Sequence, residues 1–152
     1  MMPDRLSKRV VSDRLAWVAA MLAEIHTLPL GSREAFFADR RNIHTAESCL
    51  RRALESLFDI GRHTLAKGFA QGVSEYKEIA QALGVHGVIT PEIADIMRTL
   101  AGYRNRMVHF YHEISPDELY EICATSLKDV ERVAGAFQEW TQTHPERIDE
   151  SL

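Results

Sequence analysis

The sequence has few of the residues that mark secreted, membrane-spanning or metal-binding proteins. It contains two cysteines, Cys49 and Cys123, without the CxxC or Cys/His spacing of redox or zinc sites. No apolar run approaches the roughly 18 residues that a transmembrane helix needs. Charges are interleaved with apolar residues at the start of the sequence, unlike a signal peptide. We therefore expect a cytoplasmic protein with no membrane span and with both cysteines in its core.

An excess of basic residues is also missing. The chain has 18 Lys and Arg against 22 Asp and Glu, a formal net charge of −4. Proteins that coat nucleic acid usually present a basic domain. Any contact with nucleic acid must therefore come from a local cluster of cations.

Apolar residues recur at helical spacing, and no stretch alternates cleanly enough to predict a strand. A length of 152 residues suits one hydrophobic core, and short connections favour antiparallel helices. We predict an all-α fold, an up-and-down bundle of four to five helices in a single domain over residues 1–141. Residues 142–152 are predicted to form a polar, frayed tail. The predicted helices span residues 11–25, 40–67, 75–83, 91–108 and 116–141.

Cap residues mark three of the predicted helix starts. Thr90 suits an N-cap and Pro91 the first helical position. The run SPDE at residues 115–118 has the spacing of a capping box. Ser74 is predicted to cap the third helix.

The fourth helix ends in a polar and aromatic cluster, YRNRMVHFYH at residues 103–112. Arg104 shares the helical spacing of apolar residues such as Met107, so its side chain is predicted to point inward. A guanidinium stays charged and is costly to bury alone, so it needs a carboxylate, a phosphate or a subunit boundary. Asn105 and His109 lie one turn apart on the neighbouring flank.

An arginine and a histidine placed near each other, here Arg104 and His109, suit RNA cleavage without a metal. RNA carries its own nucleophile, the 2′-OH beside each phosphate. A histidine can move that proton near neutral pH, and an arginine can offset charge that develops on the phosphate. His109 is thus a candidate acid and base, and Arg104 a candidate electrostatic clamp. A histidine near a helix C-terminus can equally serve only the helix dipole.

Three segments in the same order resemble the HepT subgroup of the HEPN superfamily. The segment RNRMVHFYHEIS matches its Arg-x4-His-x-Tyr signature, LFDIGRH at residues 57–63 resembles its second long helix, and SEYKE at residues 74–78 the start of its third. Phe110 departs from the acidic residue that many members have between the His and the Tyr. The matching residues are Arg104, Asn105, His109 and Tyr111.

The resemblance implies a ribonuclease toxin of a toxin–antitoxin pair that needs no cofactor. It implies Arg104 and His109 as catalytic residues, with Asn105 in support. It also implies a homodimer whose two motifs meet in a cleft, and an MNT-type nucleotidyltransferase antitoxin. In such a dimer the cations near the motif would be doubled and could attract RNA. Besides Arg104 and His109, these cations are Arg98, Arg106 and His112.

Tyr111 and Asp59 each admit two interpretations. A phenol is a poor base at neutral pH, and the resemblance implies that Tyr111 is the residue to which the antitoxin attaches AMP. Bulk and negative charge there would block RNA, whereas the simpler alternative is packing on Met107. Asp59 lies on a polar stripe with Glu55 and Arg62, so it is either solvated or orients Arg104 or His109 in a dimer cleft.

Three functions remain open on the sequence alone. The leading one is a metal-independent endoribonuclease, since the pair His109 and His112 lacks the further ligands of a metal site. The second is a non-catalytic module that docks a nucleotidyltransferase or a nucleotide. The third, a helical oligomerisation domain, gives the inward Arg104 no reason to be there.

Overall fold

A computed structural model describes residues 4–109 and 114–151, and within these ranges the chain folds into seven α-helices. The predicted all-α fold is therefore confirmed, with seven helices rather than four to five, because the chain also has the short α2 and because the last predicted helix is divided in two. The helices are α1 (Lys8–His26), α2 (Arg33–Phe37), α3 (Arg40–His63), α4 (Tyr76–Val85), α5 (Pro91–Val108), α6 (Pro116–Thr125) and α7 (Leu127–Thr143).

Helix α3 is the centre of the bundle. It packs along α1 and also contacts α4, α5, α6 and α7. Its core face is fully buried at leucine and phenylalanine positions such as Leu50, Leu57 and Phe58. The opposite flank carries the polar stripe identified in the sequence. A wider π-helical turn, Thr64–Gly68, completes the segment that was predicted to reach residue 67.

Helix α4 lies close to α3 at Gly61. A Cβ atom on Gly61 would come within 2.8 Å of Ile79 Cγ2 and 3.0 Å of Leu83 Cδ1. Glycine therefore permits a close approach of the two helices. This approach brings Tyr76, the first residue of α4, beside the polar stripe of α3.

Two predicted features of the helices are wrong in detail. The third predicted helix starts one residue later than expected, with Glu75 rather than Ser74 at the N-cap and no side-chain cap hydrogen bond. The last predicted helix is divided at Ser126, where α6 ends and α7 begins. The Thr125 hydroxyl donates to the Glu121 carbonyl and also lies 3.3 Å from the Ser126 hydroxyl. Such local side-chain bonds compete with helix continuation.

A two-residue parallel pairing joins β1 (Leu6–Ser7) to β2 (Ile148–Asp149). The Ser7 N–H donates to His63 Nε2 at 3.0 Å, which ties this pairing to the end of α3. Burial, followed by the charges of Lys67 and Arg14, lowers the pKa of His63 and favours the neutral ring that accepts this bond. The predicted polar tail thus contains residues that pair with the start of the described chain.

The two cysteines lie in different environments. Cys123 is buried, and its burial raises the pKa of its thiol to about 12. Cys49 is half-buried at the edge of the same core, and both are free thiols. Across the described residues, no helix is both long and apolar enough to span a membrane.

Candidate functional site

The C-terminal end of α5 holds the predicted motif. Thr90 accepts a hydrogen bond from the Ile93 N–H and Pro91 begins the helix, as predicted. The helix ends at Val108, and the His109 N–H donates to the Asn105 carbonyl at 3.1 Å. The end of α5 therefore places His109 one turn beyond Asn105.

Arg104 points toward α3 and α4, and its side chain is 24% exposed. Nη2 donates to Glu55 Oε2 at 3.3 Å, and Nη1 approaches Asn105 Oδ1 at 3.5 Å. The guanidinium carbon lies 4.1 Å from the centre of the Tyr76 ring, a cation–π contact. The partner that Arg104 requires within its own chain is therefore a carboxylate, supported by an aromatic face.

Tyr76 is itself held by the core. Its ring stacks on Phe58 with 4.5 Å between centroids and 18° between planes. Phe58 is fully buried, so it restricts where the Tyr76 ring can lie. Burial raises the pKa of the Tyr76 phenol, against the nearby charge of Arg104. The phenol therefore stays neutral, and the ring serves Arg104 as a fixed platform.

One donor of Arg104 is unused by the described chain. Its Nε is buried and has no hydrogen-bond partner among the described residues. Buried donors are nearly always satisfied in folded proteins. Arg104 therefore keeps hydrogen-bonding capacity beyond Glu55 and Asn105.

A surface pocket of about 550 Å³ opens over this part of the molecule. It brings together three of the predicted site residues, Arg104, Asn105 and His109, and adds the start of α4 and one residue of α3. Two guanidinium groups and one imidazole thus share a single concave surface that can receive an anion. The lining residues are Arg62, Ser74, Glu75, Tyr76, Arg104, Asn105 and His109.

Asp59 and Glu55, two carboxylates of the polar stripe on α3, pair with different arginines. Asp59 pairs with Arg62 at 3.0 Å and with Arg14 at 3.7 Å. Glu55, one turn earlier on α3, is the carboxylate that pairs with Arg104. Glu55 belongs to the predicted polar stripe, but nothing in the sequence distinguishes it as a partner of Arg104. The inward direction of Arg104 predicts a carboxylate, a phosphate or a subunit boundary beside it, and within the chain the carboxylate of Glu55 takes that place.

The remaining predicted cations lie in other settings. Arg98 pairs with Asp95 on its own helix. Arg106 forms a bidentate ion pair with Glu118, in which Nη1 donates to Oε2 at 2.7 Å and Nη2 donates to Oε1 at 2.5 Å. This pair links the end of α5 to the first turn of α6. This hydrogen-bonded pair raises the pKa of Arg106 and lowers that of Glu118.

The described residues do not include three positions of the predicted motif, Phe110, Tyr111 and His112.

The described residues offer little for metal binding. Within residues 4–109 and 114–151, no cluster of three or more His, Cys, Asp or Glu side chains is arranged to hold a metal ion. Glu75 is the carboxylate that lines the pocket, and the two carboxylates of the polar stripe, Glu55 and Asp59, are paired with arginines.

Comparison with known proteins identifies relatives over most of the chain. Residues 19–137 match the family model described as Ribonuclease HepT-like. The tRNA nuclease HepT of Aphanizomenon flos-aquae (strain 2012/KM1/D3) is 24% identical over 119 residues, which cover 78% of this chain and 81% of that protein.

Two solved structures share the fold. The tri-AMPylated HEPN toxin of Shewanella oneidensis, solved in complex with an MNT antitoxin, has a TM-score of 0.77 and 20% identity, covering 86% of this chain and 97% of that one. YutE from Bacillus subtilis, a cytosolic protein of unknown function, has a TM-score of 0.74 and 17% identity, covering 91% of this chain and 93% of that one. At these identities the structural likeness establishes the fold alone.

Proposed function

The chain belongs to the Ribonuclease HepT-like family, and on that basis we propose that it is a metal-independent endoribonuclease toxin acting in the cytoplasm. The observation that carries the proposal is the pocket in which Arg104, Asn105 and His109 meet. Because a relative is a tRNA nuclease, tRNA is the first RNA to test as substrate.

The proposed reaction uses the 2′-OH of RNA as nucleophile. His109 takes the proton of the 2′-OH, and the 2′-oxygen attacks the adjacent phosphorus. The bond between that phosphorus and the 5′-oxygen of the next nucleotide breaks. Arg104 binds the phosphate oxygens and offsets the charge that develops on them. The products are a 2′,3′-cyclic phosphate and a 5′-OH end.

The leaving 5′-oxygen needs a proton, and this need gives a homodimer a catalytic purpose. We propose that two copies face each other across the pocket, so that one His109 acts as base and the partner's His109 as acid. Val108, next to His109, is a large apolar side chain that stays exposed in the single chain. A second copy that covers this end of α5 would bury it.

The test is induced expression of the wild type and of His109→Ala at matched soluble levels. We expect the wild type to arrest growth and to leave RNA with cyclic-phosphate ends, whereas His109→Ala does neither. Losing a general acid–base group costs about 10²- to 10⁴-fold in rate. Purified wild type should cleave tRNA equally well in the presence of a metal chelator.

A second histidine variant serves as the matched control. His26 is exposed on α1, where it lies 3.7 Å from Glu131, and His26→Ala should remain toxic. Equal toxicity of the wild type and His109→Ala, without new RNA ends, would instead favour the non-catalytic docking module.

We further propose that an MNT-type nucleotidyltransferase neutralises the protein by attaching AMP to Tyr111. In this step the phenol oxygen attacks the α-phosphorus of ATP, pyrophosphate leaves, and the phenol proton passes to solvent. Support comes from the signature tyrosine and from the likeness to a HEPN toxin solved with an MNT antitoxin. The added charge and bulk would then lie two residues from His109 in the chain and obstruct RNA.

The modification is tested by incubating the protein with an MNT-type nucleotidyltransferase and ATP. We expect mass spectrometry to find AMP on the peptide that contains Tyr111, together with loss of RNA cleavage. Tyr111→Phe should remain unmodified and uninhibited, while Tyr103→Phe should behave like the wild type. Inhibition of Tyr111→Phe by the same treatment would show that neutralisation uses another residue or needs no AMP.

A further inference from the structure

We infer that Arg62 binds the RNA phosphate next to the scissile one, so that the pocket holds two successive phosphates. The inference rests on the proposed ribonuclease function and adds a substrate contact to it. It also gives Asp59 a role, because Asp59 fixes Arg62 in place.

Arg62 and Arg104 lie against the same aromatic ring. Their guanidinium carbons are 5.7 and 4.1 Å from the centre of Tyr76. The two groups are therefore separated by no more than the sum of these distances, and both line the pocket. Successive phosphorus atoms of an RNA strand are joined through one sugar and two ester oxygens, a span that fits within that limit.

Arg62 is held on one side and open on the other. Nη1 donates to Asp59 Oδ1 at 3.0 Å, and Nη2 donates to the Ser74 carbonyl at 3.3 Å. The side chain remains 39% exposed. A guanidinium has five N–H donors, so these two bonds orient the group and leave others for an anion. An arginine fixed in this way loses little further conformational freedom on binding.

The surrounding charges favour an anion at Arg62. Asp59 is shared between Arg62 and Arg14, so one carboxylate faces two guanidinium groups. The pocket lining itself contains two arginines, Arg62 and Arg104, and one carboxylate, Glu75, so positive charge remains among the lining residues despite the acidic whole chain. A phosphate can bind Arg62 without having to displace Asp59.

The experiment pairs a protein change with a substrate change. RNA oligonucleotides with one defined cleavage site are made with a neutral methylphosphonate at the phosphate on either side of that site. Single-turnover cleavage of each is measured with wild type and Arg62→Gln. We expect neutralisation at one of the two neighbouring phosphates to lower the cleavage rate of the wild type about 10- to 100-fold, because a hydrogen bond to a charged group is lost. Arg62→Gln should show a similar loss on normal RNA and little further loss with that neutral phosphate.

Arg41→Gln is the matched control. Arg41 also lies on α3 and pairs with a nearby aspartate, Asp39, but is about 32 Å from Arg62 along the helix. It should retain the wild-type rate and the wild-type sensitivity to the neutral phosphate. Arg62→Lys, which keeps the charge without the planar fork, should recover part of the lost rate.

Three results would overturn the inference. One is a wild type that is insensitive to neutralisation of both neighbouring phosphates, a result that needs no variant to fold. Another is an Arg62→Gln protein with an unchanged cleavage rate. The third is an Arg62→Gln protein that the neutral phosphate slows by the same factor as it slows the wild type. The two changes would then act independently, as a general structural defect in the variant would. A wild type that cleaves no RNA at all would instead refute the proposed function, and the inference with it.

Discussion

Replacing Arg104 by Gln is expected to lower the single-turnover rate of RNA cleavage about 10²- to 10³-fold, the usual cost of removing a group that stabilises transition-state charge. The protein should stay folded, because Glu55 keeps a second partner in Arg51 at 3.1 Å. Arg104→Lys should fall between Gln and wild type. It keeps the charge but loses the planar group that lies on Tyr76.

The control for Arg104 lies six residues earlier on the same helix. Arg98 pairs with Asp95 on α5, and Arg98→Gln removes the same charge without touching Glu55 or Tyr76. We expect its cleavage rate to stay within about threefold of wild type, in line with the small effect of most surface ion pairs. Equal rates for Arg104→Gln and Arg98→Gln would refute the catalytic role of Arg104.

Replacing Phe58 by Ala is expected to lower the free energy of unfolding by about 3 to 5 kcal/mol, the range for a fully buried phenylalanine. The loss combines the transfer of the ring to water with the cavity left beside Tyr76. Urea unfolding followed by circular dichroism measures it. Because Phe58 backs the platform of Arg104, Phe58→Leu should be milder in stability yet still slow RNA cleavage.

Phe37→Ala is the matched comparison for Phe58→Ala, because it removes the same ring from a less buried position. The Phe37 ring lies 5.2 Å from Phe36 at the margin of the core and is half-buried. Phe37→Ala should therefore cost less than half as much as Phe58→Ala. A loss below about 1 kcal/mol for Phe58→Ala would contradict the packing described for this ring.

Local sequence signals predicted the elements that depend on neighbouring residues. The start of α5 at Pro91 and the start of α6 at Pro116 follow from cap and first-turn chemistry that a few adjacent residues supply. The inward direction of Arg104 follows from helical spacing alone. The break at Ser126 was missed because apolar spacing continues across it, so the pattern resembles one long helix.

Contacts between distant segments could not be predicted in the same way. Glu55 and Asp59 are one turn apart on one stripe of α3, so spacing cannot decide which of them meets Arg104. The choice depends on how far α5 is displaced along α3. The part played by Tyr76 depends in turn on the close approach of α4 at Gly61. These are relations between helices, and they leave no periodic trace in either sequence segment.

The pairing of Leu6–Ser7 with Ile148–Asp149 has a kinetic consequence. It joins segments separated by nearly the whole chain, and closing so long a loop costs more entropy than closing the short helix–helix connections. Helical contacts close in sequence can therefore form early, whereas this pairing belongs to the end of folding. With only two residues and half-buried side chains, the β2 side of the pairing is also among the first contacts to open from the native state. In hydrogen exchange its amides should lose protection well before those of α3.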